Sequence, residues 1–182
     1  MLVLSLNHLK HNLKLYMVIF VGAPFVFSFN EVAHGPSLIS PNAAVNANNR
    51  VYFMDNGGFY VYSGSAQRLP CTVLDYVLSD LNLGQAFKIF GAVNNSANEI
   101  MWFYPSKDSD EIDRYVMFNY LENVWSIGTT SDNFVRTAWD EALILTNPIA
   151  ASKNDGDNNN NYIYAHEIGH GDADRDWETF SK

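Results

Sequence analysis

The stretch VYFMDNGGFYVY, residues 51–62, decides the fold class. Two runs of aromatic and β-branched residues flank its central Asp55-Asn56-Gly57-Gly58, and such side chains suit a pleated, half-buried surface. Asn-Gly between two apolar runs favours a tight hairpin turn whose central residues have positive φ. The stretch therefore predicts two antiparallel strands, 51–54 and 59–62, joined by such a primed turn.

The composition of the 182-residue chain favours a β-rich domain with a sizeable core. Hydrophobic residues make up 47% of the chain and aromatic residues 14%, with 12 Phe, 10 Tyr and 4 Trp. This content is ample for one compact domain, and side chains of these types pack well on sheets.

Charge and cysteine content exclude several kinds of site. The formal net charge of −9 disfavours direct binding to nucleic-acid phosphates over most of the surface. An acidic surface fits a protein that lets DNA pass without sticking, and it fits ordinary solubility equally well. Cys71 is the single cysteine, so neither an intrachain disulfide nor a cysteine-based metal cluster can form. We interpret Cys71 as a small residue at the start of an element rather than a nucleophile.

The apolar run at residues 15–29 superficially resembles a signal peptide or membrane anchor. Gly22 and Pro24 interrupt it, and its 15 residues fall short of the roughly 20 that a membrane-spanning helix needs. The run instead predicts two buried strands, 16–21 and 25–29.

Further apolar runs with turn-length connections predict more strands. Residues 99–104, 114–120 and 124–127 follow one another as a meander. Weaker strands are predicted at 143–145, 148–151 and 162–164. Meanders that recur along a chain indicate propeller blades or a sandwich, but about ten strands are too few for a closed propeller.

Residues 72–90 break this pattern, because their apolar side chains are spaced three and four apart. We predict a helical segment there, split near residues 82–84, with Thr72 and Asp75 forming a capping start. The predicted fold is therefore mainly β, with antiparallel meanders in an incomplete β-propeller-like arrangement and one helical segment near 72–90. Residues 1–18 are expected to be a disordered or non-native lead-in, 19–170 the β-rich domain and 171–182 an irregular tail.

The pentapeptide HEIGH at 166–170 has the zincin spacing. On a helix, His166 and His170 could ligate one zinc ion while Glu167 polarises a water molecule. The Tyr-Ile-Tyr alternation at 162–164 and Gly169 nevertheless favour a strand followed by a turn. In a strand the two histidines would lie about 13 Å apart, which is too far to share one zinc without a fold-back. We therefore predict no metal site. The alternative is a zinc site formed by His166, His170 and Glu167.

Two polar loops and the remaining histidines are weaker candidate sites. Oxygen donors alternate at 154–161 as in a calcium loop, but Asn160 stands where the loop needs glycine, so a solvated hairpin loop is preferred. Residues 106–113 are expected to be a charged loop tip. His8, His11 and His34 form no ligand pattern, and no nucleophile elbow or phosphate loop is present. We therefore predict no catalytic residues and no cofactor.

Eight segments in a fixed order carry a resemblance to a known family. They are VGAPFVF (21–27), GPSLISPNAAV (35–45), GGFYVYSG (57–64), LPCT (69–72), NNSANEIMWFYP (94–105), DRYVMFNY (113–120), VWSIG (124–128) and RTAW (136–139). Through them the chain resembles bacteriophage virion proteins, the long propeller-bearing tail proteins of tailed phages. It is similar to the tail nozzle, tail tubular and packaged-DNA stabilisation proteins of short-tailed phages. Members of that family are much longer, and residues 1–18 and about 171–182 depart from its pattern, so a fragment or shortened relative is expected.

The resemblance implies a structural role and brings no catalytic residues. The chain would be a scaffold and inter-subunit interaction module in the phage tail or head-tail junction of the virion. Its partners would be other virion proteins and copies of itself in a ring, with DNA passing without specific binding and with no membrane anchor. The resemblance also implies an ordinary last strand at 162–167. Two alternatives remain open: a zinc metallopeptidase using HEIGH, and a carbohydrate- or peptide-binding β-module using exposed Tyr and Trp.

Overall fold

The computed structural model describes residues 2–7, 13–24, 26–31, 36–130, 135–141, 147–152 and 162–167. Within these ranges the chain forms fourteen strands, one α-helix and one 3-10 helix. The strands form four antiparallel sheets, and none of the four closes into a barrel in the described part of the chain. The prediction of a mainly β fold is confirmed.

Sheet 1 consists of β1 (Leu2–Asn7), β2 (Leu13–Phe20) and β3 (Phe27–Glu31), paired in that order. The two strands predicted at 16–21 and 25–29 are confirmed as β2 and β3. The prediction that they are buried is wrong, because Val21, Val26 and Phe29 are each more than half exposed. No described element covers these side chains. β1 and the first part of β2 fall within the expected lead-in, and whether residues 1–18 are native to the domain stays a prediction.

Sheet 2 contains β4 (Ala44–Ala47), β5 (Arg50–Asp55), β6 (Gly58–Tyr62) and β7 (Ala66–Leu69), paired in chain order. The predicted hairpin is confirmed as β5 and β6, which register Asp55 opposite Gly58. The predicted primed turn is wrong, because neither Asn56 nor Gly57 has a positive φ. Side chains hold this turn instead: Gly57 N donates to Asp55 Oδ1 at 2.6 Å, and Arg68 donates to the Gly57 carbonyl at 2.8 Å.

The turn with left-handed central residues lies one hairpin earlier. Asn48 and Asn49 join β4 to β5 with φ values of 47° and 58°. Asn tolerates this region better than most residues, and two consecutive positive φ values match the right-handed twist of the flanking strands.

The helical segment after sheet 2 is split as predicted. Helix α1 spans Leu74–Asp80, and a 3-10 helix spans Leu83–Lys88. The predicted capping start at Thr72 and Asp75 is wrong, since no side chain caps α1. The cap lies at the second helix, where Asn82 Oδ1 accepts a hydrogen bond from Gly84 N at 3.0 Å.

Sheet 3 contains β8 (Phe90–Asn94), β9 (Glu99–Tyr104), β10 (Arg114–Asn119) and β11 (Val124–Thr129), again paired in chain order. The predicted meander is confirmed as β9 to β11, and β8 adds a strand that the sequence pattern did not predict. Residues 106–113 are not a simple solvated tip, because Ser106 and Ile112 are buried. Ser106 N and Oγ both donate to the Asp113 carboxylate at 2.7 Å, which closes the loop.

Sheet 4 consists of β12 (Arg136–Asp140), β13 (Ile149–Ser152) and β14 (Tyr162–Ala165). The strands predicted at 148–151 and 162–164 are confirmed as β13 and β14. β12 was not predicted as a strand, and the strand predicted at 143–145 lies outside the described residues.

Sheet 3 presents a different apolar face to each neighbouring sheet, because side chains alternate along a strand. One face, which includes Trp102 and Trp125, packs against Phe59 of sheet 2, with ring centroids 4.8 Å apart in both pairs. The other face carries Met101 and Phe103 and lies against Trp139 of sheet 4. The sheets are therefore stacked in the order 2, 3, 4.

The first strands of sheets 2, 3 and 4 lie side by side. β4 contacts β8, and β8 contacts β12. Hydrogen bonds add to these contacts: Gly91 N of β8 donates to the carbonyl of Asn42, just before β4, at 2.8 Å, and Trp139 Nε1 of β12 donates to the Val93 carbonyl of β8 at 3.1 Å. These contacts place sheet 4 across one face of sheet 3 and leave a cleft between them.

Candidate ligand-binding cleft

The cleft between sheets 3 and 4 has a volume of about 510 Å³. It is lined by Asn94, Ala97, Glu99, Met101, Phe103, Tyr115, Met117, Thr129, Thr130, Arg136, Trp139, His166 and Glu167. Its size is typical of a small-ligand site, and apolar walls with a few polar groups are the usual composition of such sites.

Aromatic rings and thioethers form the apolar part of the cleft. Met101 and Phe103 are buried residues of β9, whereas Tyr115 and Met117 of β10 are half-buried. Trp139 faces them from β12, with its ring centroid 6.1 Å from that of Phe103. The indole is held in place by its hydrogen bond to the Val93 carbonyl, so this wall of the cleft is preformed.

Arg136 and His166 form a linked pair at the sheet 4 side. Arg136 is only 5% exposed, and its Nε donates to His166 Nε2 at 3.0 Å. Its guanidinium carbon lies 4.7 Å from the Tyr164 ring centroid, a distance suited to a cation–π contact. The His166 ring packs on Trp139 with centroids 4.5 Å apart. The guanidinium is thus held between two rings.

The pKa of His166 is lowered to about 4, first by burial and then by the neighbouring Arg136 charge. The ring is therefore neutral at pH 7. Since Nε2 accepts the hydrogen bond from Arg136, the neutral ring carries its proton on Nδ1. Burial also lowers the pKa of Arg136 from its usual value.

Two carboxylates, from Glu99 at the start of β9 and Glu167 just after β14, lie on the cleft lining. Burial raises the pKa of Glu99, and the charges of Glu167 and Glu122 raise it further. Among the described residues, no Lys, Arg or His nitrogen lies within 4.0 Å of either cleft carboxylate. The cleft therefore has a negatively charged part.

Glu167 has a left-handed backbone, with φ of 60°. Its carbonyl accepts a hydrogen bond from Asn147 Nδ2 at 2.9 Å, which supports this uncommon conformation for a non-glycine residue. The backbone therefore turns away from the direction of β14 at Glu167.

The HEIGH segment begins in extended rather than helical structure. Strand β14 ends at Ala165, and His166 N continues the antiparallel pairing by donating to the Pro148 carbonyl at 2.7 Å. The strand expected at 162–167 thus ends two residues early. His170 lies outside the described residues, and within the described part of the chain no group of three or more His, Cys, Asp or Glu is arranged to hold a metal. His166 and Glu167 both line the cleft instead.

Among the described residues, the other candidates from the sequence add nothing to this cleft. The Asp/Asn loop at 154–161 and the histidines at 8, 11 and 34 lie outside the described residues. Cys71 is half-buried beside the core between sheets 2 and 3, and burial raises its pKa, which makes its thiol a poorer nucleophile at neutral pH.

Sequence reasoning missed Arg136, Trp139 and Glu99 as parts of one site. Arg136 and Trp139 belong to β12, a strand that no alternating pattern revealed. Glu99 was placed correctly in a strand, but local sequence does not show which residues of sheet 4 face it.

Comparison with known proteins assigns no family: the sequence matches no known family and no curated protein. Among the described residues, no helix is long and apolar enough to cross a membrane.

Proposed function

We propose that this chain is a structural module of a phage tail or head-tail protein, acting as a scaffold that contacts neighbouring subunits and other virion proteins. The observation that carries the proposal is the stacking of three consecutive meanders, sheets 2, 3 and 4, with their first strands side by side. Such stacking is what blades of an incomplete β-propeller would produce. Seven of the eight segments that resemble phage tail proteins include strand residues of these sheets.

The exposed surface of sheet 1 supports a role in assembly. Phe29 is 53% exposed on one face of β3, and Ile19, which lies on the opposite face of the β2–β3 pair, is 38% exposed. Val21 and Val26 extend the apolar surface and are each 52% exposed. Sheet 1 therefore exposes apolar side chains on both faces, and exposed apolar patches mark protein contact sites.

Labelling of purified virions tests the proposal. An antibody raised against this chain should decorate one position on intact particles, at the tail or the head-tail junction, when gold-labelled and imaged by electron microscopy. Particles from a phage with the corresponding gene disrupted provide the control and should remain unlabelled. Detection of the protein only in the soluble lysate, with purified particles free of it, would refute a structural role.

The zinc metallopeptidase alternative receives less support from the described geometry. His166 Nε2 accepts a hydrogen bond from Arg136, and the backbone at His166 and Glu167 is not helical. Metal analysis of purified protein separates the two proposals, because a peptidase would hold stoichiometric zinc that His166→Ala removes.

A further inference from the structure

The sheet 3 wall of the cleft is apolar along β10. Tyr115 and Met117 on this strand are half-buried and line the cleft. An apolar ligand segment can lie along this wall.

The charges on the cleft lining determine which sign of charge a ligand needs. Glu99 and Glu167 carry no cationic partner within 4.0 Å among the described residues. Arg136, the one Arg or Lys among the described lining residues, is 5% exposed and donates a hydrogen bond to His166. A ligand entering from solvent therefore meets two carboxylates before it meets the guanidinium.

We propose that this cleft binds the side chain of a lysine or arginine presented by a partner polypeptide. The charged head would lie between Glu99 and Glu167, and the methylene stem would cover Met117 and the rings of Tyr115 and Trp139. Long cationic side chains combine an apolar stem with a charged end, as this lining requires.

The lining offers three separate contributions to such binding. Hydrogen bonds between a cation and a carboxylate are stronger than neutral ones. The rings of Tyr115 and Trp139 offer apolar surface to the methylene stem. The flexible thioethers of Met101 and Met117 adapt to the stem. Burial raises the pKa of Glu99 and the charge of Glu167 raises it further, and a bound cation would offset that repulsion.

Other ligand classes fit this lining less well. An anionic ligand would be repelled by Glu99 and Glu167, and a neutral sugar would stack on the aromatic rings but leave the two carboxylates without a countercharge. These classes become outcomes of the binding test.

Binding is measured by NMR titration of protein labelled at the methionine methyl groups. The probes are acetyl-Gly-Arg-Gly-amide and acetyl-Gly-Lys-Gly-amide, and acetyl-Gly-Gln-Gly-amide is the uncharged control. The methyl signals of Met101 and Met117 should shift in a saturable way with the cationic peptides. The signal of Met54, which is buried between sheets 2 and 3, should not move.

Two substitutions test the carboxylates. Glu99→Gln and Glu167→Gln should each raise the Kd of the arginine peptide about tenfold, because each removes one charged hydrogen-bond partner. Glu122→Gln is the matched control: it removes a nearby charge that does not line the cleft and should change Kd less than about threefold at physiological salt. Unchanged Met54 signals and melting temperatures confirm that the variants fold.

Several results would overturn the proposal. These are equal binding of the glutamine peptide, no saturable binding of either cationic peptide, and wild-type affinity in both Glu99→Gln and Glu167→Gln. Tighter binding of free agmatine than of the arginine peptide would assign the cleft to a small amine rather than to a polypeptide. The test uses no virions, so its failure leaves the proposed assembly role intact.

Discussion

At the scale of single residues, His166 accepts a hydrogen bond from Arg136 through Nε2, so protonation of the ring would place a second positive charge against the guanidinium. The folded protein holds the pKa of His166 near 4, whereas an unperturbed histidine in the unfolded chain titrates near 6.5. Between these values the unfolded chain binds more protons than the folded protein. Stability should therefore be full above pH 6.5 and should fall as the pH is lowered toward 4.

The expected loss is on the order of 1–2 kcal/mol, allowing for the partial exposure of the ring. Urea unfolding of wild type and His166→Gln at several pH values measures it. Glutamine can accept the Arg136 hydrogen bond through Oε1 but does not titrate, so the variant should lose less stability on acidification. The difference between the two proteins isolates His166, since the raised pKa of Glu99 contributes to both. Parallel pH curves for the two proteins would contradict the assignment.

Residue identity alone did not predict this pair. The burial of Arg136 cannot be predicted from the residues next to it in sequence. It depends on Tyr164 and His166, which lie about thirty residues away. Only the pairing of β12, β13 and β14 brings these two rings to the arginine. The residue-level predictions that held were those set by neighbours in sequence, such as the extended backbone at 162–164.

At the scale of elements, β8 approaches β4 so closely that a glycine is required. A Cβ added at Gly91 would lie 2.7 Å from Val45 Cγ1 on the neighbouring sheet, and valine has little freedom to rotate away. Gly91→Ala should therefore lower the free energy of unfolding by on the order of 1–2 kcal/mol, the cost of overpacking less the gain from a stiffer unfolded chain. Urea unfolding at neutral pH measures the change.

Gly57→Ala provides the matched control for that substitution. A Cβ at Gly57 would meet Asp55 Oδ1 at an ordinary 3.5 Å, and Gly57 has no positive φ. This variant should match or slightly exceed the wild type in stability. A cost as large as that of Gly91→Ala would show that the turn at 56–57 is primed after all.

The turn between β5 and β6 shows which features local sequence patterns predict and which they do not. Both strands around it were predicted from runs of aromatic and β-branched residues, and the meander of β9 to β11 was predicted from apolar runs with turn-length connections. The turn type was not, because Arg68, eleven residues away on β7, binds the Gly57 carbonyl and takes part in shaping it. The capping start predicted for α1 is wrong for a related reason. Whether a side chain caps the first turn of a helix depends on the path of the chain before the helix as well as on residue type.

At the scale of the whole molecule, no local pattern predicts which face of one sheet meets the next. Glu99 and His166 lie 67 positions apart, and only the stacking of sheets 3 and 4 brings both to the same cleft. The recurring meanders predicted sheets of this kind, but the order of stacking follows from side-chain alternation and from hydrogen bonds such as that of Trp139 to the Val93 carbonyl. In sheet 1 the predicted strands are present as β2 and β3, but side chains that were predicted to be buried are exposed.

That exposure gives a prediction that separates folding from assembly. Phe29 on sheet 1 is 53% exposed, whereas Phe59 in the core between sheets 2 and 3 is fully buried. Phe59→Ala should lower the free energy of unfolding by about 3–5 kcal/mol, and Phe29→Ala should change it by less than about 1 kcal/mol. If sheet 1 contacts another virion subunit, Phe29→Ala should nevertheless reduce incorporation into particles, measured by immunoblotting purified virions against total lysate. A loss of stability as large as that of Phe59→Ala would mean that Phe29 is buried within the folded chain itself. Normal incorporation of a stable Phe29→Ala protein would show that Phe29 of sheet 1 takes no part in assembly.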